Sequence, residues 1–133
     1  MYYIYIIYSE SSDLYYVGYT NDSKRRLIEH NTNPRITFTS KHRPWIIKAL
    51  FECGMSASQA VLIERFIKKQ NSRKLVELLC NPSFIPVGKL SQLVRVPSER
   101  DQQGSWKLST YRVKFASAFS FHENSIINWQ FFK

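Results

Sequence analysis

The sequence predicts an α+β fold: a small three-stranded antiparallel sheet with flanking helices, in the order β-β-α-β-α-α, followed by a C-terminal tail. Two runs of β-branched and aromatic residues, YYIYIIY from Tyr2 and LYYVGY from Leu14, are separated by the turn formers SESSD. Two later stretches, SQAVLIERFIKKQ and SRKLVELLC, carry good helix formers with apolar residues at helical spacing. The chain has 133 residues, 44% hydrophobic and 22% charged, enough for one ordinary domain with a core of its own but not for two.

Each element follows in order. The opening pair of runs reads as a β-hairpin. Thr20-Asn21-Asp22-Ser23 clusters residues whose side chains cap helix starts, so KRRLIEHN reads as a short helix ending near Asn31. NTNPRITFTSKHRP is a polar, basic loop, PWIIKALFE is the third strand, and Gly54 and Ser56 end it. The helix from Ser58 closes on Lys68 and Lys69, where cations meet the negative end of the helix dipole. The helix from Ser72 sets Leu75, Leu78 and Leu79 on one face and stops before Pro82, so the first unit spans residues 1–81. Beyond it, Pro82, Pro86, Pro97 and a polar SERDQQGS stretch break any long element. In STYRVKFASAF, Tyr111, Val113 and Phe115 alternate with Arg112 and Lys114 like a half-buried strand. Residues 82–133 are therefore expected to form a C-terminal extension, either a second hairpin or a partly ordered tail.

Charge narrows the partners. Nineteen Lys and Arg against ten Asp and Glu give a formal charge of +9, which points to a polyanion, most simply nucleic acid. Cys53 and Cys80 form no disulfide framework and have no Cys or His at zinc-ligand spacing, so free thiols in a reducing compartment are expected. The apolar start is too short to span a membrane and has no basic region before it, so neither a signal peptide nor a membrane partner is read and the expected location is cytoplasmic.

Three groups of residues could carry chemistry. Six of the eight tyrosines fall within the first eighteen residues, and a buried phenol costs free energy unless its hydroxyl is paired. In a hairpin Tyr5 and Tyr16 can lie nearly opposite, aiming two hydroxyls at one place; packing at the core edge is the alternative for every tyrosine. Gly18 leads the second strand into a capped helix start, where backbone N–H groups can meet an anion. On that helix Arg26 and His30 are four apart and share a face, either as a phosphate clasp or as a solvated basic face. Glu64 is the single acid in a run of Val61, Leu62, Ile63, Phe66 and Ile67. A carboxylate against a core is costly unless it is paired or holds a cation, and Mg²⁺ is bound by one or two carboxylates with waters and phosphates. An ion pair with Lys68 is the plainer reading.

Taken together, these residues resemble the GIY-YIG nuclease superfamily, and most closely its small stand-alone bacterial members related to the N-terminal domain of the UvrC excinuclease. The resemblance runs through Tyr3-Ile4-Tyr5, Tyr16-Val17-Gly18, Thr20, the Arg26 to His30 helix, Arg43-Pro44-Trp45, and Ala60 to Glu64 followed by Ile67-Lys68-Lys69. Tyr3 departs from it, standing where the family name has glycine. The resemblance implies a divalent-metal-dependent endonuclease that hydrolyses DNA phosphodiester bonds, with branched or flapped DNA as the structure-selective case and DNA repair or recombination as the setting. Glu64 would hold Mg²⁺ or Mn²⁺, and Arg26 would bind and orient the phosphate. Tyr5 and Tyr16 would flank the attacking water, one of them as or beside the general base, and His30 would share that task. Gly18, Thr20, Arg25, Lys41, Arg43 and Lys68 are expected along the nucleic acid. The competing class is a non-catalytic nucleic-acid-binding module with the same fold, and a third reading is a nicking domain working beside a partner protein.

Two readings of the tail remain open. Arg95, Arg100, Lys107, Arg112 and Lys114 sit among Trp106, Tyr111 and Phe115, a mixture suited to backbone pairing and base stacking. Alternatively the tail is adventitious, because Leu90 to Pro97 is similar to frames read across tRNA genes.

Overall fold

The computed structural model describes residues 1–98 and 131–132. Strands β1 (Tyr2–Ser9) and β2 (Leu14–Thr20) form the opening hairpin, and β3 (Ile46–Gly54) pairs with the other edge of β1. Both pairings are antiparallel, and β1, paired along both edges, is central. At the turn Asp13 takes a left-handed conformation (φ 51°) and accepts a hydrogen bond from the Tyr8 hydroxyl at 2.7 Å.

The sheet is larger than the three strands expected. A two-residue strand β4 (Val94–Arg95) pairs with β3, and β5 (Phe131–Phe132) pairs with β2, giving the order β4-β3-β1-β2-β5. Both additions cover edges that would otherwise present unpaired backbone groups. Two residues carry no readable period, which is why neither strand shows in the sequence pattern. The α+β class and the flanking helices stand as predicted.

Helices α1 (Ser23–Thr32), α2 (Ala57–Lys69) and α3 (Arg73–Cys80) follow the predicted order. Asp22, Ser56 and Ser72 are their N-caps, each accepting a hydrogen bond from the amide three residues on. Because α2 and α3 cover one face of the sheet and α1 with the following loop covers the other, β1 is buried on both sides. Ile4, Ile6, Val17 and Phe51 pack with Ala60, Ile63, Ile67, Leu75, Val76 and Leu79 in one core. Tyr5, Ile7, Leu14 and Trp45 form the other.

The packed unit does not end at residue 81. Phe84, Leu90 and Leu93 are at most 4% exposed and belong to the first core. The Arg95 guanidinium donates to the carbonyls of Leu79 (2.7 Å) and Cys80 (3.2 Å), at the C-terminal end of α3, and lies 5.5 Å over the Phe51 ring. Prolines after Cys80 do interrupt regular elements, but burial continues through irregular backbone that has no periodic signature. Leu90 and Leu93, within the stretch that resembles a tRNA-gene frame, are thus core residues. The strand expected from Ser109 and the basic residues Arg100, Lys107, Arg112 and Lys114 lie outside the described residues. No helix among those described is long and apolar enough to cross a membrane.

Candidate active site

The hairpin register decides where the tyrosines point. The turn pairs Ser9 with Leu14, so Tyr5 faces Gly18 across the strands and Tyr16 faces Ile7. The expectation of two opposed phenols is corrected to a diagonal pair on one face, with ring centroids 6.2 Å apart. Gly18 makes this possible. A Cβ on Gly18 would stand under 3.0 Å from the Tyr5 hydroxyl and from two of its ring carbons, so the ring occupies the space that any other residue would fill. The reason for glycine is close approach by a side chain of the same sheet, and its φ is not in the left-handed region.

Helix α1 lays its Arg26 and His30 side chains on this pair, as the four-residue spacing predicts. The Tyr5 hydroxyl lies 2.9 Å from His30 Nε2 and accepts a hydrogen bond from Arg26 Nε at 3.3 Å. Burial, reinforced by Arg26, lowers the His30 pKa from 6.5 to about 4, so the imidazole is neutral at pH 7. A neutral ring with a free lone pair at Nε2 lets the Tyr5 O–H donate to it, giving a directed chain from Arg26 to Tyr5 to His30. Burial and then the neighbouring Tyr16 push the Tyr5 phenol well above its ordinary value, against the pull of Arg26. Tyr5 is therefore a fixed, protonated donor near neutral pH.

The rest of α1 is locked from behind. Asn31 spans the Trp45 backbone, donating to its carbonyl at 3.0 Å and accepting from its amide at 2.7 Å. Arg43 donates to the carbonyls of His30 and Asn33, each at 2.6 Å, satisfying groups that the helix end leaves open. These two bonds set the Arg43 guanidinium behind His30.

Glu64 comes to the same site from α2. Its side chain is 13% exposed and its Oε1 accepts from Lys68 Nζ at 2.7 Å. The apolar-stripe reading and the ion-pair reading are thus both realised. Among the described residues no hydrogen bond reaches Oε2, and no buried side-chain oxygen lacks a partner, so that oxygen is open to solvent. The Lys68 ammonium also lies 5.3 Å over the Tyr16 ring.

A polar cleft of about 380 Å³ joins these groups. Tyr5, Tyr16, Arg26 and Glu64 line it, together with Gly18, Thr20 and Arg25. His30 stands behind Tyr5 rather than in the cleft wall, and Lys41, on the exposed 3-10 turn Thr39–His42, and Arg43 are not part of the lining. Tyr2, Tyr19 and Asn21 also line the cleft, although none of them is among the site residues expected from the sequence. A further residue outside the sequence expectations is Glu29, whose carboxylate binds the guanidinium groups of both Arg25 and Arg26. The signal for it is present, because Glu29 lies four and three residues after those arginines on one helix.

The donor set can be tested against a divalent cation. Among the described residues no three His, Cys, Asp or Glu cluster, so a cage of protein ligands is not on offer. One carboxylate with a solvent-facing oxygen, in a polar cleft also lined by the Arg26 guanidinium, does match the way Mg²⁺ keeps most of its waters and shares phosphate oxygens. A family model described as the GIY-YIG catalytic domain matches residues 1–76. No curated protein matches the chain.

Proposed function

The chain belongs to the GIY-YIG family, a family of nuclease domains, and from that premise we propose that it is a divalent-metal-dependent endonuclease acting on DNA, selective for branched or flapped forms, in repair or recombination in the cytoplasm. The observation that carries the reading is the convergence of Tyr5, Tyr16, Arg26 and Glu64 on one cleft from four separate elements, β1, β2, α1 and α2. A module that only bound nucleic acid would need the cations but no largely buried carboxylate.

The residues divide the task. Arg26 Nε is held by Tyr5 and Nη1 by Glu29, leaving Nη2 without a bond among the described residues to take a phosphate oxygen. A guanidinium fixed in this way is oriented before substrate arrives, which lowers the ordering cost of binding. Tyr5 holds the guanidinium from the sheet side and keeps its own proton on the His30 side. Tyr16, less buried than Tyr5 and with Lys68 over its ring, would position the attacking water. His30, neutral, fixes the Tyr5 hydroxyl by accepting its hydrogen bond. Glu64 would hold Mg²⁺ or Mn²⁺, which supplies charge to the phosphate and to the departing 3′ oxygen. Thr20 and Arg25 flank the cleft for the adjoining backbone, while Lys41, Arg43 and Lys68 would act on the nucleic acid through charge alone.

Labelled duplex, flap and fork oligonucleotides, incubated with Mg²⁺ or Mn²⁺ and with EDTA, test the reading. Metal-dependent cleavage that falls by ~10²-fold or more in Arg26→Ala is expected. DNA binding with no cleavage of any substrate would instead establish the non-catalytic module.

A further inference from the structure

A second recess, of about 230 Å³, opens on the other side of the Tyr16 and Arg26 side chains and is lined also by Glu29, His30, Asn33, Thr37, Phe38 and Thr39. It is not needed for any role assigned above. Tyr16 and Arg26 line both cavities, so the recess begins where the cleft holds the scissile phosphate.

Its chemistry argues against a second phosphate. Arg26 is its single formal cation, and Glu29, in the same wall, is already bonded to that guanidinium at 2.9 Å. The hydrogen bond from Arg26 holds the Glu29 carboxyl below the usual carboxylate range, so it is ionised, while His30 is neutral. An anion would therefore meet no net positive charge. What the walls do offer is aromatic surface from Tyr16, His30 and Phe38 with amide and hydroxyl groups from Asn33, Thr37 and Thr39. Asn33 Oδ1 accepts from the Arg35 amide at 2.9 Å, which fixes the amide plane. Flat aromatic walls with neutral hydrogen-bonding groups of both kinds suit a neutral, planar, polar heterocycle. The volume is below the ~300–1,000 Å³ of ordinary ligand pockets, the scale of a single ring system.

We propose that this recess receives one unpaired nucleobase of the nucleotide adjoining the scissile phosphate, stacked against Phe38. The inference rests on the nuclease reading and deepens it. A base can enter only by leaving its stack, which costs least where it is already unpaired. Preference for flapped or bulged DNA then follows from the recess rather than from the basic surface. Phe38 is a specificity residue that lines the recess and not the cleft.

The test uses flap oligonucleotides with an abasic residue placed in turn on each side of the cleavage site, and a parallel set carrying 2-aminopurine there. Removing the base at one position is expected to weaken binding by wild type about tenfold, as base stacking on an aromatic side chain implies. Phe38→Ala is expected to lose the same factor on the intact flap and nothing more on the abasic one. Phe38→Leu, which keeps an apolar side chain in the second core, should match it. Cleavage indifferent to both the abasic residue and the Phe38 variants would overturn the recess while leaving the nuclease reading intact. Conversely, 2-aminopurine quenching that depends on Phe38 in a chain that never cuts would support the recess and refute the nuclease reading.

Discussion

Gly18 and Tyr5 form a contact that a single methyl group breaks. Gly18→Ala places its Cβ against the Tyr5 hydroxyl, and overpacking of this kind costs about 1–3 kcal/mol and displaces the ring. A double-mutant cycle on denaturant unfolding checks it: the cost should shrink when Tyr5→Ala is also present, whereas an unchanged cost would mean the two do not meet. His30 gives a pH prediction. Its folded-state pKa of about 4 lies below the unfolded 6.5, so the unfolded chain takes up the proton first as pH falls. Stability is full above about pH 6.5 and is lost progressively down to about pH 4, and the slope over that window should flatten in His30→Gln. Tyr16→Phe keeps the ring against His30 and Trp45, so the chain should still fold and unfold cooperatively while cleavage drops ~10²-fold or more. Much of this is legible in the sequence. The spacing of Arg26 and His30 sets them on one helix face, and Glu64 stands out as an acid in an apolar run. What spacing cannot give is the register, which turns an opposed tyrosine pair into a diagonal one and gives Gly18 its true neighbour. Nor does residue type alone show that Arg43 spends its donors on helix carbonyls.

Elements are readable in proportion to their length. The three long strands and three helices follow from apolar period and capping residues, and their ends fall within one or two residues of expectation. The segment after Pro82 is not readable, because Phe84, Leu90 and Leu93 enter the core from irregular backbone and β4 is only two residues long. Its structural weight can be measured. Leu93→Ala should cost about 2–5 kcal/mol by thermal or denaturant unfolding, as removal of a buried leucine side chain does elsewhere. A chain stopped at residue 81 should lose more than that, since it also uncovers Phe51 and α3. If both variants unfold like the full chain, the segment is an adventitious extension after all. The N-caps supply a milder check: Ser56→Ala should cost about 1 kcal/mol through the start of α2.

At the scale of the whole molecule, a chain with formal charge +9 holds its catalytic candidates in a cleft where two of the cations, Arg25 and Arg26, are already paired with Glu29. Charge and chemistry are therefore separable. The charge should show as a steep fall of DNA affinity with salt, a slope that Glu64→Gln leaves unchanged because the phosphates are neutralised elsewhere on the surface. The chemistry should vanish in the same variant. Glu64→Gln is nearly isosteric and keeps an oxygen for Lys68, so loss of folding is not the expected outcome. The most direct measurement is nicking of supercoiled plasmid by wild type and Glu64→Gln side by side with Mg²⁺ or Mn²⁺, at a salt concentration where both bind equally. Metal-dependent nicking by wild type and a loss of ~10²-fold or more in the variant is the predicted result; nicking by Glu64→Gln at the wild-type rate would contradict the assignment of Glu64 and the account built on it.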